Sequence, residues 1–436
     1  MNKKRTQRIL SLVLALAFLV PGTLFAAAAE GNLLTSPAVT SGQGNSGNGS
    51  VTDATIDDVR EILDSASYEE YRSEYYVAKT TVVDGVKTTT YEWTVKPGEK
   101  EIVIDAIDNL YTEGTDAAYK VETYDGVKAL YTPSSGTVSW KVAIPERARY
   151  SIVIEYYPVY TNNAGEVVSK ATGIERIFRI NSAIPFLEAR YLSLAKIYRN
   201  EYVSAERKVD NKKSISEYIS EAEAVGLKVT EKRESQGGGT YLIYEMPEVW
   251  TSAISDYCEA NGIRFFTTDI DNNEIRPTIK QSPAWSSYEI HDADGYYAES
   301  FEFVFDKSDS TIISLTGVNE PMAIKSIRLI PHEDYKTMET VSAGYPTKTP
   351  GTDKVKIEGE YPYSTSSQTI YPIEDTRSAK TSPISTARTY LNTIGGVGGE
   401  KWVSAGQTIS YRFTVNNSGI YNIVARFSQS TLDGMY

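Results

Sequence analysis

Cysteine and histidine are almost missing: 436 residues hold one Cys and two His, His291 and His332. One thiol forms no disulfide framework, and so few soft ligands cannot close a zinc site or supply a redox pair. No Gly-x-Ser-x-Gly elbow occurs, so a Ser-His-Asp hydrolase has no local support. Positive charge is also short. Lys and Arg total 44 against 57 Asp and Glu, a formal net charge of -13, and that sign opposes nucleic acid and anionic lipid as partners. Phe and Trp number 11 and 5, whereas Tyr reaches 32. A phenol joins a flat apolar face to a polar tip, which suits aromatic surfaces that also meet water, as a sugar-binding face must.

Strongly apolar runs are scarce too. The longest, Ile9 to Phe25, follows Lys3, Lys4, Arg5 and Arg8 and precedes the small residues Ala26 to Ala29. This is the tripartite pattern of an export signal over residues 1–29, too short in its apolar part for a bilayer span. The expectation is a secreted, extracellular chain without membrane insertion, either released or held at the cell surface. No cysteine sits at the cleavage site to take a lipid. Residues 30–53, rich in Gly, Ser, Asn and Thr, read as a flexible linker.

Helical spacing is expected over 57–63 and in YEEYRSEYY (residues 68–76); β patterns then take over in TTYEWTV (89–95) and EIVIDA (101–106). An internal repeat organises the rest. Gly136 to Pro145 followed by Tyr150 to Tyr156 recurs as Gln407 to Val415 followed by Tyr421 to Phe427. Trp140 answers to Tyr411, Val142 to Phe413, Ile144 to Val415, Tyr150 to Tyr421 and Ile152 to Ile423, all in one alternating phase. Each copy needs its own sandwich to bury that face. After the first copy, 174–186 continues as a hairpin; the second has no continuation before Tyr436, so its domain is expected to be incomplete and the chain to be the front of a longer protein.

A change of period marks an insert at 203–264. SISEYISEAEAV (214–225) is an amphipathic helix, two strand-like runs flank Gln236 to Gly239, and 248–261 is a second helix ended by Gly262. Strands resume at 301–305, 311–317 and 323–331, the last able to close the first sandwich. The expected fold is mainly β: a first sandwich over 54–340 with a small α+β insert, a Pro- and Gly-rich linker over 341–353, and an incomplete second sandwich over 354–436.

GQTISYRFTVNNSGIYNIVARFS (406–428) resembles the strand-turn-strand core of carbohydrate-binding modules of the galactose-binding-like jelly-roll type. LNTIGG (391–396), Trp402 and LDGMY (432–436), with IPFLEARYLSL (184–194), NEIRP (273–277) and GYYAESFEFVF (295–305), are similar to the front region of large secreted sugar-transport proteins of Firmicutes. The resemblance covers most of 68–200 and 265–436 and leaves out the insert. It implies tandem jelly rolls ahead of a downstream ABC-transporter solute-binding domain, with a sugar permease as a further partner.

Sugar binding needs an exposed aromatic platform flanked by groups that pair with hydroxyls. In the first sandwich the loop WSSYEIHDADGYY offers Trp285, Tyr288, Asp292, Tyr296 and Tyr297; the alternative is that its rings pack against the insert. In the second, Tyr390, Asn392, Glu400 and Trp402 surround four glycines, unless Trp402 plugs the sandwich end. Trp140 and Tyr411, within strands, are core residues. Asp269, Asp271 and Asn273 alternate as calcium ligands would, but Glu274 stands where an EF-hand loop needs Gly, so a plain turn is the economical account. No other cofactor is implied. The alternation of strands and helices expected of a barrel glycosidase is absent. The expected function is therefore a non-catalytic carbohydrate-binding region. Its rivals are a structural spacer or protein-docking module without a glycan, and an accessory part of a glycoside hydrolase.

Overall fold

The computed structural model describes residues 65–427 except 84–85, 163–164, 171, 211, 235–237, 334–335, 347–348, 375–391 and 400–401. The expected export signal, linker and 57–63 helix, and the candidates Tyr390 and Glu400, lie outside the described residues.

Helix α1 (Tyr68–Ser73) is opened by a capping box, Glu70 N donating to Ser67 Oγ at 3.3 Å and Ser67 N to Glu70 Oε2 at 3.0 Å. It is shorter than the tyrosine spacing suggests, because Tyr76 already pairs with Trp93 in the hairpin of β1 (Tyr76–Val83) and β2 (Val86–Trp93). There follow β3 (Ile102–Asp105), β4 (Lys120–Tyr124), β5 (Val127–Thr132), β6 (Gly136–Ile144), β7 (Ala148–Pro158), β8 (Ile174–Ile180) and β9 (Tyr191–Leu194). The insert contributes β10 (Tyr198–Glu201), β11 (Ala205–Lys208), α2 (Ile215–Ala224), β12 (Val229–Glu234), β13 (Gly239–Tyr244), α3 (Ser252–Asn261), β14 (Thr267–Thr268), β15 (Glu274–Ile275) and β16 (Thr278–Gln281). The chain returns through β17 (Ser286–Glu289), β18 (Phe303–Phe305), β19 (Ser308–Asn319) and β20 (Met322–Pro331). It then forms α4 (Met338–Ala343), β21 (Ser364–Thr365), β22 (Tyr371–Glu374), β23 (Ile394–Gly398) and β24 (Ile409–Ser410).

The protein is mainly β, and its centre is a sandwich. One antiparallel sheet runs β17-β7-β20-β5-β4, with β18 beside β7 and β3 beside β20; the other runs β6-β19-β8-β9. Alternation decides which residues meet between them. Trp140, Val142 and Ile144 of β6 face Tyr150, Ile152 and Ile154 of β7, with Phe178, Phe303, Leu315 and Leu329 completing the buried layer. Trp140 Nε1 donates to the Ala106 carbonyl at 2.9 Å, so the largest core residue buries no unpaired donor. Arg176, also fully buried, is bound by the carbonyls of Glu175, Asn319 and Glu320 at 2.8 to 2.9 Å, and burial lowers it to about 10.

The insert forms as the change of period predicts. Helix α2 is capped by Ser214 and Glu217, β11-β13-β12 is its sheet, and Gly262 ends α3 in the left-handed region at φ +62°. Its extent is larger than 203–264. The insert core takes in Tyr361 and Ile394 from the C-terminal segment, where Tyr361 lies in a box of Tyr202, Trp250, Phe265 and Phe266. A second sheet, β16-β10-β21-β24, also mixes insert strands with later ones. The second copy of the repeat differs from the first. Only Ile409–Ser410 joins a ladder, and 421–427 run without one, leaving Ile423, Val424 and Phe427 exposed. Among the described residues no sheet lies across from them, so the alternation that buries β7 has nothing to pack on.

Candidate functional site

Strand β17 ends its sheet, paired on one side only, to β7. Along Ser-Ser-Tyr-Glu the pleat turns Tyr288 into the core, next to Ile154, and leaves Ser287 and Glu289 exposed. A cleft of about 700 Å³ follows this strand. Its near wall is Ser286 to Glu289 with His291, Asp292, Tyr297 and Ser300; its far wall is Ser364 to Ser366 and Ala405, Gly406, Thr408 and Ser410.

Each wall is fixed by hydrogen bonds that begin in the sequence. Asp292 is buried and accepts from Asp294 N at 3.1 Å, Tyr296 N at 2.6 Å and Tyr297 N at 3.1 Å, which closes the loop as an Asx turn. Tyr297 then lies edge-on to Tyr68 at 5.1 Å, with the Arg72 guanidinium 5.0 Å over its ring. His291 Nδ1 contacts the Glu289 carbonyl at 2.7 Å, and its ring is 5.2 Å from that of Tyr288. Burial raises the Tyr288 phenol to about 12, so it stays protonated at neutral pH. On the far wall Ser366 N donates to the Thr408 carbonyl at 3.0 Å, Thr408 N to Ser366 Oγ at 2.8 Å, and Tyr363 N to the Ser410 carbonyl at 2.7 Å.

Lys196 reaches the cleft but is committed elsewhere, to Glu320 at 3.0 Å, the Lys170 carbonyl at 2.7 Å and Ser169 Oγ at 2.9 Å. What remains for a ligand is a row of hydroxyls, the Glu289 carboxylate and the half-buried ring of Tyr297, with the Tyr288 ring buried behind them. Such a surface can pair with several hydroxyls and hold an apolar ring face.

Of the residues expected from sequence, the structure brings Tyr288, Asp292 and Tyr297 to this cleft. Trp285 lies apart as a packing residue: it is half-buried, Nε1 donates to the Tyr124 carbonyl at 3.1 Å, and its ring stands 5.5 Å from Tyr157. Tyr296 is 86% exposed and outside the cleft lining. Asn392 lies beside the insert, Asn392 N donating to Asn273 Oδ1 at 2.9 Å and its carbonyl accepting from Glu274 N at 2.9 Å. Trp402 is half-exposed, neither plugging a sandwich nor lining the cleft. Thus Trp285, Tyr296, Asn392 and Trp402 form no common platform.

Asp269 caps a turn. Oδ1 accepts from Asp271 N at 2.9 Å and Asn273 N at 2.8 Å, and Oδ2 from Asn273 Nδ2 at 2.9 Å. These donors hold the carboxyl below its ordinary value, and they occupy the oxygens that calcium would need. Among the described residues no group of three or more His, Cys, Asp or Glu is arranged to hold a metal ion. No pattern in the sequence marks Ser364 to Ser366 or Thr408 as facing β17, since they reach it only through the sheet shared with the insert.

No protein-family model matches the chain, and no curated protein does. Among solved structures it is similar to the Podospora anserina GH26-CBM35 β-(1,4)-mannanase, at 9% identity and a TM-score of 0.22. The alignment covers 55% of this chain and 29% of that one. The sheets described above, not that likeness, define the fold.

Proposed function

We propose that the chain is a secreted, non-catalytic carbohydrate-binding region that holds a glycan in the cleft along β17. The observation that carries this is the cleft's make-up, an open trough of about 700 Å³ walled by serine and threonine hydroxyls with the partly exposed ring of Tyr297 at its side. Sugars offer many hydroxyls and one flat C–H face, and this surface answers both. Catalysis has less support. Glycoside hydrolysis takes two carboxylates placed across the bond, whereas Asp292 is tied to three backbone N–H groups and Glu289 alone remains at the lining. In the context the sequence resemblance implies, the cleft would hold glycan close to a solute-binding domain and its permease, raising the local concentration.

The test is a glycan array on the full-length exported protein, with Tyr297→Ala and Glu289→Gln beside it and Trp402→Ala as a change outside the cleft. Retention of a glycan that falls at least about tenfold in the first two variants and holds in the third supports the proposal. Silence across the array favours a spacer, and release of reducing ends favours an enzyme.

A further inference from the structure

Arg264, Glu274 and Glu360 form an ion cluster where the C-terminal segment meets the insert. Arg264 Nε and Nη2 reach the two oxygens of Glu274 at 2.7 and 2.6 Å, Nη1 reaches Glu360 Oε1 at 2.7 Å, and Nη2 also bonds the Ile394 carbonyl. Glu360 is fully buried, and its Oε2 has no hydrogen-bond partner. Two carboxylates therefore share one cation in a dry site. The other groups facing Glu360 add no positive charge. Tyr202 donates its hydroxyl to the Glu360 carbonyl at 2.7 Å, Tyr361 and Tyr411 are neutral phenols, and Glu358 is held by Lys356 at 2.8 Å, which also meets Glu259 of α3 at 3.0 Å. Burial raises the Glu360 carboxyl to about 7 against the opposing pull of Arg264.

We propose that the segment bearing Glu360 and Tyr361 is a proton-dependent latch: neutral Glu360 keeps it docked on the insert, and ionisation loosens it together with the cleft wall that starts at Ser364. Glu360 holds its proton more tightly docked than released. Docking is therefore strongest below the released carboxyl's ordinary value of 4.5 and weakens as pH rises through 7. The effect on a ligand rests on the glycan proposal above; the latch itself does not.

Hydrogen exchange at the amides of Tyr361 and Ile394 in the full-length protein, corrected for intrinsic rates, reads the latch without any ligand. Opening should increase on the order of 50-fold between pH 5 and pH 8. Glu360→Gln should abolish that rise. Glu274→Gln, which gives Arg264 to Glu360 alone, should move the transition down by about one pH unit. Exchange that is flat with pH in the natural chain, or equally steep in Glu360→Gln, overturns the latch. Should Glu360→Gln fail to fold, an unmoved transition in Glu274→Gln overturns it instead. Glycan retention measured alongside separates the two proposals. A pH-dependent opening without retained glycan leaves the latch and removes the ligand, and the reverse outcome removes the latch alone.

Discussion

Gly406 passes so close to His291 that a β-carbon on it would stand 2.8 Å from His291 Nε2. The ring has little room to withdraw, since Nδ1 is held at 2.7 Å to the Glu289 carbonyl. Gly406 also sits at φ +77°, a conformation costing an L side chain about 1 kcal/mol. Gly406→Ala should therefore push the far wall away from the near one. A roughly tenfold loss of glycan retention by affinity electrophoresis, with the sandwich melting within a few degrees of the natural protein, is the expected pair of results. Unchanged retention would show that the far wall takes no part in binding.

Trp285 separates packing from recognition. Its indole seals a small cluster of Tyr124, Ala129, Val159 and Ala323 behind the sheet, so Trp285→Ala should cost about 3 kcal/mol in stability. Trp285→Phe, which keeps the ring and loses the bond to the Tyr124 carbonyl, should cost about 1 kcal/mol. Urea titrations measure both, and the folded fraction of each should retain glycan as the natural chain does.

The sandwich and insert were legible because local and tertiary preferences agree there. The phase of Trp140, Val142 and Ile144 against Tyr150, Ile152 and Ile154 names the buried face of both strands, and all six lie in the core. Ser214 and Gly262 likewise mark a helix start and a helix end. The cleft was legible by half. The tyrosines between Trp285 and Tyr297 advertise a surface, but the pattern alone does not tell that Tyr297 turns to the cleft while Tyr288 packs in the core behind it and Trp285 turns to Tyr157. The far wall was illegible for a different reason: Ser364 and Thr408 are small, polar and without period, and reach β17 only through long-range pairings such as Tyr198 with Thr365 and Ser364 with Ser410.

Equivalent positions of the repeat should respond differently to mutation. Ile152 is fully buried in β7, whereas Ile423 is 93% exposed. Ile152→Ala deletes methyl groups from a packed layer and should destabilise by about 2 to 5 kcal/mol. Ile423→Ala, with no packed neighbours to lose, should stay within about 0.5 kcal/mol. Chemical denaturation of the two variants decides it. Comparable losses would mean that 421–427 packs in solution as β7 does.

Lys196 lines the cleft, yet its ammonium serves the fold rather than a ligand. Glu320, at φ +60° and fully enclosed, accepts from Lys170 N at 2.8 and 2.9 Å and from Thr172 Oγ1 at 2.9 Å as well as from Lys196. The ammonium is its direct ion-pair partner, and the buried Arg176 guanidinium adds a further Coulombic attraction. Lys196→Met should therefore strand a buried carboxylate and cost about 3 to 5 kcal/mol, whereas Lys196→Met with Glu320→Gln removes both charges and should recover much of that loss. A surface pair would weaken steeply with salt; this one, shielded from solvent, should lose little stability between 0.05 and 0.5 M NaCl, on the order of a few tenths of a kcal/mol. If Lys196→Met instead melts normally and loses glycan, the ammonium belongs to the ligand, because only a group free to turn outward can be removed without consequence for Glu320.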